Sequence, residues 1–277
     1  MFDCEGFIAK AKLYFQRAST AEGDDARAVW QLLGFEFVLR APLAKVHPAL
    51  LASPDDSLLH AVGVTVQASR ATSIASSLVI SRLEKVTPLG QDRARAAHRV
   101  LGVRNHEIHS SEAAVASTPR QEWLPAMLDV LEDVCEYLKI PVTELLPQDQ
   151  LEEATEYRET ARDEIRGKVT GKIKKAKDFV DQLVPDEISA RLATSHVSID
   201  GSITCPACKQ ESMERLFGPP RVTKSAYIEE DGEIAYEFTK VVSAAKCDVC
   251  GLSLDTTAEV IAADIPRACT YEASESR

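Results

Sequence analysis

No stretch of this chain approaches the roughly 18 consecutive apolar residues of a membrane-spanning helix, so no membrane partner is expected. The first residues, Met1-Phe2-Asp3-Cys4-Glu5, carry early acids and no apolar core of signal-peptide length, so secretion is not expected either. An excess of positive charge is also missing. Lys and Arg number 32 against 43 Asp and Glu, a net charge of −11. A chain of that sign is not coated with basic surface for long nucleic-acid tracts, although a local basic cleft remains compatible with it. These absences together predict a cytoplasmic protein. Its seven cysteines fit that setting: four fall in two Cys-x-x-Cys pairs, while Cys4, Cys135 and Cys269 stand alone. In a reducing compartment such pairs read as metal ligands rather than disulfides.

What is present is an ordinary globular composition, 45% apolar and 27% charged over 277 residues, enough for one or two domains. Phe7, Ile8, Ala11, Tyr14 and Phe15 predict a helix over 2–18, and Gly23-Asp24-Asp25 breaks it and caps the next. That second helix, 25–46, carries the stripe Trp30, Leu33, Phe37 and Val38, with Pro42 able to kink it. Glu36 falls within the stripe, either as an exposed residue at its edge or as a buried carboxylate that needs a partner. Ser53-Pro54-Asp55-Asp56 supplies cap, proline and acids, and predicts a third helix to Lys85, closed by Thr87-Pro88. A fourth helix starts near Asp92. A fifth follows Thr118-Pro119-Arg120-Gln121, which has the pattern of a capping box, and ends at Pro141. The fold class is therefore mainly α, with an antiparallel helical bundle over residues 1–146.

Residues 147–194 form a second region, read as a long connecting helix over 150–187 with segregated charge. Glu152, Glu153, Glu156, Glu159, Asp163 and Glu164 come first; Arg166, Lys168, Lys172, Lys174, Lys175 and Lys177 follow with no acid among them. The basic half is either a solvated helix face or a contact for RNA phosphates. From 195 to 277 the pattern turns to strands. Val197 to Ile203 reads as a hairpin turning at Asp200-Gly201, a second spans Arg221 to Val242 and turns at Asp231-Gly232, and 270–277 reads as a frayed tail. Cys205-Pro-Ala-Cys208 and Cys247-Asp-Val-Cys250 each place two thiolates on one tight turn. Two such turns joined by strands make a small β-rich zinc ribbon in which Cys205, Cys208, Cys247 and Cys250 hold a structural zinc. The gap between them exceeds the common roughly 15–20 residues, and an inserted hairpin accounts for the excess. A redox Cys-x-x-Cys competes, but two copies in a hairpin setting fit it poorly.

The richest chemistry lies in Val103-Arg104-Asn105-His106-Glu107-Ile108-His109. Imidazole suits proton transfer near neutral pH, and the planar guanidinium fork binds two phosphate oxygens at once. At about 100° per residue, Asn105 and His109 share a helix face and His106 lies about 60° from His109. Arg104 lies about 140° away, so one straight helix cannot aim Arg104 and His109 at one atom, whereas two facing copies can. Gly102 weakens the helix just before the motif and predicts a bend there. His106 and His109 could instead be an H-x-x-H metal pair, but no second ligand set nearby supports that. No cluster of acids that would hold magnesium lies near the motif. His47, His60, His98 and His196 are single and read as surface or structural groups.

Arg104-Asn105 followed by His109 resembles the R-N-x-x-x-H motif of HEPN domains, all-helical modules of many prokaryotic RNA-cutting toxins and defence proteins. The resemblance covers residues 1–145. It implies a homodimer with a composite site, RNA as substrate, an acidic residue (Glu36) near the motif arginine, and a toxin-like or antiviral role restrained until triggered, with room for a regulatory protein partner. His109 would be the general base on a ribose 2′-hydroxyl or the acid for the leaving oxygen. Arg104 would neutralise the phosphate, Asn105 would orient it, and His106 would be a second acid/base at a position that varies in the family. The alternative is a non-catalytic module that dimerises or binds a partner recognised by the ribbon. A third reading, in which the ribbon binds nucleic acid and the bundle only dimerises, is weakened by ribbon loops that are not notably basic.

Overall fold

The computed structural model describes residues 2–65, 71–195, 203–218, 221–222, 227–228 and 234–275. The chain is mainly helical and ends in a small antiparallel sheet. It divides into two compact units, Met1–Glu159 and Thr160–Arg277. Among the described residues no helix is long and apolar enough to cross a membrane.

In the first unit, α1 (Cys4–Ser19) is capped by Asp3, whose side chain accepts the Gly6 N–H at 2.6 Å. It packs against α2 (Asp24–Val46), the helix around which this unit is built. The short α3 (Asp56–Ala61), α4 (Ser76–Val86), α5 (Gln91–His109), the single turn α6 (Ala114–Ser117) and α7 (Arg120–Leu138) follow. α4, α5 and α7 all contact α2. Phe15, Leu32, Phe35 and Leu39 fill the core with Ile80, Leu83, Leu124 and Leu128, all excluded from solvent. Each such side chain contributes about 1.5–3 kcal/mol on burial. Gly34 lies tight against this core: a Cβ there would stand 3.1 Å from the Phe15 ring.

The predicted third helix is two pieces. Gly63, at φ 90°, stops α3, and the chain returns extended, with Ser53 N–H bonded to Thr72 O and Ile74 N–H to Leu51 O. α7 has no capping box: its N-cap is Pro119, with no side-chain hydrogen bond. Lys139, left-handed at φ 64°, closes it two residues before Pro141. α5 runs through Gly102 without interruption.

α8 (Gln148–Val180) places Ala154 in the first core and Val169 and Ala176 in the second. The long helix expected to 187 stops at Val180, and α9 (Pro185–Thr194) begins anew, because Val184 before the proline is extended (φ −80°, ψ 156°). The sheet's spine is the fourteen-residue β5 (Ile234–Cys247). β1 (Ile203–Thr204) pairs with β2 (Glu211–Phe217), and β2, β3 (Arg221–Val222), β4 (Tyr227–Ile228) and β6 (Ser253–Leu254) pair with β5, all antiparallel. After α10 (Thr257–Ala262), the expected frayed tail is β7 (Ala268–Glu275), paired with β5 from Ile234 to Val241. The turns expected at Asp200-Gly201 and Asp231-Gly232 lie outside the described residues. Met213, Val242, Leu254 and Val260 form the second core with the four paired cysteines.

Two glycine substitutions should move stability in opposite directions. Gly34→Ala should destabilise by about 1–3 kcal/mol because the enclosed Phe15 ring must shift. Gly167→Ala, where nothing lies within 4 Å, should stabilise by about 0.5–1 kcal/mol. Chemical denaturation of both variants checks this.

Candidate functional site

α5 carries the motif on its last two turns. Its buried face is Ala94, Ala96, Ala97, Val100 and Leu101, and no residue after Leu101 in this helix is buried. Arg93 adds ion pairs to Asp129 and Asp133 of α7 at the other end. Polar contacts hold the motif turns. Arg104 is 18% exposed at its side chain and turns inward; its Nη2 meets Glu36 Oε2 at 2.5 Å and its Nη1 donates to Asn105 Oδ1 at 2.7 Å. Its Nε is buried and has no hydrogen-bond partner among the described residues. Glu107 accepts the Val115 N–H at 2.9 Å and so caps α6.

Glu36 is not an exposed edge residue. Its side chain is 8% exposed, and it sits at the centre of a buried polar cluster. Arg40 Nη2 and Ser76 Oγ both donate to Glu36 Oε1 at 2.7 Å. Arg40 also donates through Nη1 to Ser73 Oγ at 3.1 Å and Ile74 O at 3.2 Å. Burial pushes the Glu36 carboxyl up. The hydrogen bonds from Arg40 and Ser76 and the charges of Arg40 and Arg104 outweigh burial and hold it below the ordinary carboxylate range. Sequence reasoning passed over Arg40 and Ser76. An Arg four residues after a Glu on an apolar helix was the available signal for Arg40; Ser76 had none.

The other motif side chains face outward. Asn105, His106 and His109 are exposed. His106 Nε2 lies 3.1 Å from Glu112 Oε2, and His109, the last residue of α5, has no polar partner among the described residues. The structure thus joins Glu36, Arg104 and Asn105, and does not bring Arg104 and His109 together within one chain.

In the second unit the four cysteines converge, with all Sγ atoms within 4.8 Å of one another. Cys205 and Cys250 are 3.6 Å apart, as are Cys208 and Cys247. A tetrahedron of ~2.3 Å metal–sulfur bonds has edges of about 3.8 Å, so the donor set fits a metal ion. Both turns use one backbone pattern. Lys209 N–H bonds to Cys205 O at 3.0 Å, and Gly251 N–H to Cys247 O at 2.8 Å. Cys205 N–H bonds to Gln210 O and Cys247 N–H to Leu252 O, both at 2.9 Å. Lys209 and Gly251 are both left-handed, at φ 60° and 73°. Ser212 Oγ stands 3.1 Å from Cys247 Sγ, poised to donate to a thiolate. Among the described residues this is the only group of three or more side chains placed to hold a metal.

No family model, curated protein or solved structure matches the chain.

The Glu36 cluster should govern acid stability. Its depressed carboxyl contributes stability that is complete above the unfolded value, near about 4.3, and is lost as pH falls through the folded value. Glu36→Gln leaves two shielded guanidiniums uncompensated and should cost about 3–5 kcal/mol at pH 7. The gap between wild type and variant should narrow toward pH 3, as read by urea titrations at both pH values.

Proposed function

We propose that the first unit is a metal-independent endoribonuclease of HEPN type that works as a homodimer, and that the four cysteines hold a structural zinc. The observation that carries the proposal is the Glu36–Arg104 pair, which fixes the end of α5 while Asn105, His106 and His109 project from its last turns into solvent. On this reading His109 takes the proton of a ribose 2′-hydroxyl as its oxygen attacks the adjacent phosphorus. The bond to the 5′-oxygen breaks, and an imidazolium, from His106 or from the second copy, protonates that oxygen. The products are a 2′,3′-cyclic phosphate and a 5′-hydroxyl. Among the described residues no acid cluster for magnesium lies at the motif, and a zinc enclosed by four thiolates has no open position for substrate, so on this reading neither metal takes part in bond breaking. The setting proposed is a cytoplasmic toxin or antiviral defence role, restrained until triggered, with a regulatory protein partner.

One observation favours a second reading, a non-catalytic dimerisation or binding module. Both Nη groups of Arg104 are engaged inside their own chain, by Glu36 and Asn105, as in a purely structural arginine.

His109→Ala separates the two. The residue is exposed, so stability should change by less than about 0.5 kcal/mol, whereas cleavage of single-stranded RNA should fall about 10²–10⁴-fold. Wild-type cleavage should survive EDTA and spare DNA, and light scattering should give twice the 30.3 kDa chain mass. Equal RNA profiles in cells expressing wild type and His109→Ala under triggering conditions would leave the binding module in its place.

Elemental analysis should give one zinc per chain. Cys247→Ser should lose the metal and unfold the second unit while the helical signal of the first persists.

A further inference from the structure

Four side chains of α8 fall on one stripe: Lys168, Lys172, Lys175 and Phe179. Their spacings of four, three and four residues keep them within about 60° of one another around the axis. This stripe borders the second cysteine turn. Lys172, Lys175 and Phe179 form one wall of a groove of about 340 Å³, and Gly251, Leu252 and Asp255 form the other. Open space surrounds the point where a Cβ on Gly251 would stand, so the mouth of the groove is clear.

The charges are unevenly matched. Lys172 Nζ is held by Asp255 at 2.9 Å and Glu259 at 2.8 Å, so its charge is taken up by two acids and the surplus positive charge of the stripe falls to Lys168 and Lys175. Lys168 and Lys175 are exposed and make no ion pair among the described residues. Exposed Lys174 and Lys177 flank them, and no acid falls between residues 165 and 177; Asp178, also exposed, lies about 80° off the stripe. Phe179, which helical periodicity assigns to the apolar stripe of α8, is instead 39% exposed. The Arg191 guanidinium covers the ring at 5.0 Å. A cation covers one face of a ring, so the part of Phe179 that stays exposed, in line with the ammonium groups of Lys168 and Lys175, suits a ligand with flat faces and repeated negative charge.

We propose that this groove binds single-stranded nucleic acid, with Lys168 and Lys175 on backbone phosphates, about 10 Å apart along the helix, and a base stacked on Phe179. An acidic peptide would satisfy the lysines but brings no flat face to the ring. The groove belongs to the second unit and the motif helix to the first, and binding in the groove does not require cleavage.

The test is fluorescence anisotropy of a labelled twelve-nucleotide oligo(dT) with the full chain. This probe lacks the 2′-hydroxyl, so failure of the nuclease reading leaves the result untouched. Binding should weaken with salt, and Lys168→Glu/Lys175→Glu should lower the log–log salt slope by about 1.4, at about 0.7 per phosphate. Phe179→Ala should weaken binding about 5- to 100-fold, and Phe179→Trp should retain it. Metal content and circular dichroism of each variant report that the unit is folded. Absence of binding at low salt, or binding indifferent to both the lysine and the phenylalanine changes, overturns the proposal. Displacement of the oligonucleotide by poly-glutamate at equal charge would overturn it in favour of an acidic protein partner.

Discussion

A single buried carboxylate positions the end of the motif helix. The apolar face of α5 is made largely of alanines, its last fully buried residue is Leu101 and only part-buried Val103 extends it, so hydrophobic burial does little to orient residues 104–109. Glu36 supplies what burial does not. It gathers Arg40 from its own helix, Ser76 from the start of α4 and Arg104 from α5, and joins three helices through charge-assisted hydrogen bonds. Such a cluster is worth little as net stabilisation relative to apolar packing, but it is costly to break one member at a time. It therefore specifies a geometry more than it adds stability, which is what a site built on the exposed last turns of a helix needs.

The second unit rests on a different constraint. β1, β3, β4 and β6 are two residues long, and such strands hold little by themselves. Order comes from β5, which pairs along its length, and from the sulfur cluster that joins the turn after β1 to the turn after β5. The two turns share one hydrogen-bond pattern and one left-handed closing residue, so each presents its thiols in the same way. A cation at the centre would relieve the crowding of four buried sulfurs, and binding free energy of that kind is folding free energy. α8 completes this core with Val169 and Ala176.

Local signals were legible where local physics decides. The break between α1 and α2 at Gly23 with acids in the first turn of α2, the apolar periodicity of α7 and the spacing of the four cysteines could all be read from the sequence. So could the angular separation of Arg104 and His109, because an offset of about 140° follows from helix geometry alone, although it does not say which of the two turns inward. The gap between α8 and α9 was also readable, since the residue before Pro185 must leave the helix, but continuous charge segregation concealed it. Other features depend on distant partners. β7 looks like a polar tail because its partners in β5 lie 27 to 41 positions earlier in sequence. The third helix looks continuous because Gly63 announces a break only through its positive φ. Ser76 gave no sign of reaching Glu36, forty residues earlier.

The same geometry sharpens the nuclease reading. Arg104 directs Nη2 to Glu36 and Nη1 to Asn105, and its Nε is enclosed. It therefore offers little of its fork to an outward-facing phosphate. The outward face of the last turns of α5 holds imidazoles and a carboxamide; the fixed cations exposed on this helix are Arg95 and Arg99, and Arg99 lies two turns before His106 on the same face. Cleavage of a phosphodiester needs charge placed against the phosphate as well as proton transfer. On the nuclease reading that charge comes from Arg99, from a protonated His106 or from a facing second copy. Of these sources a facing second copy is the one that also meets the constraint of angle between Arg104 and His109.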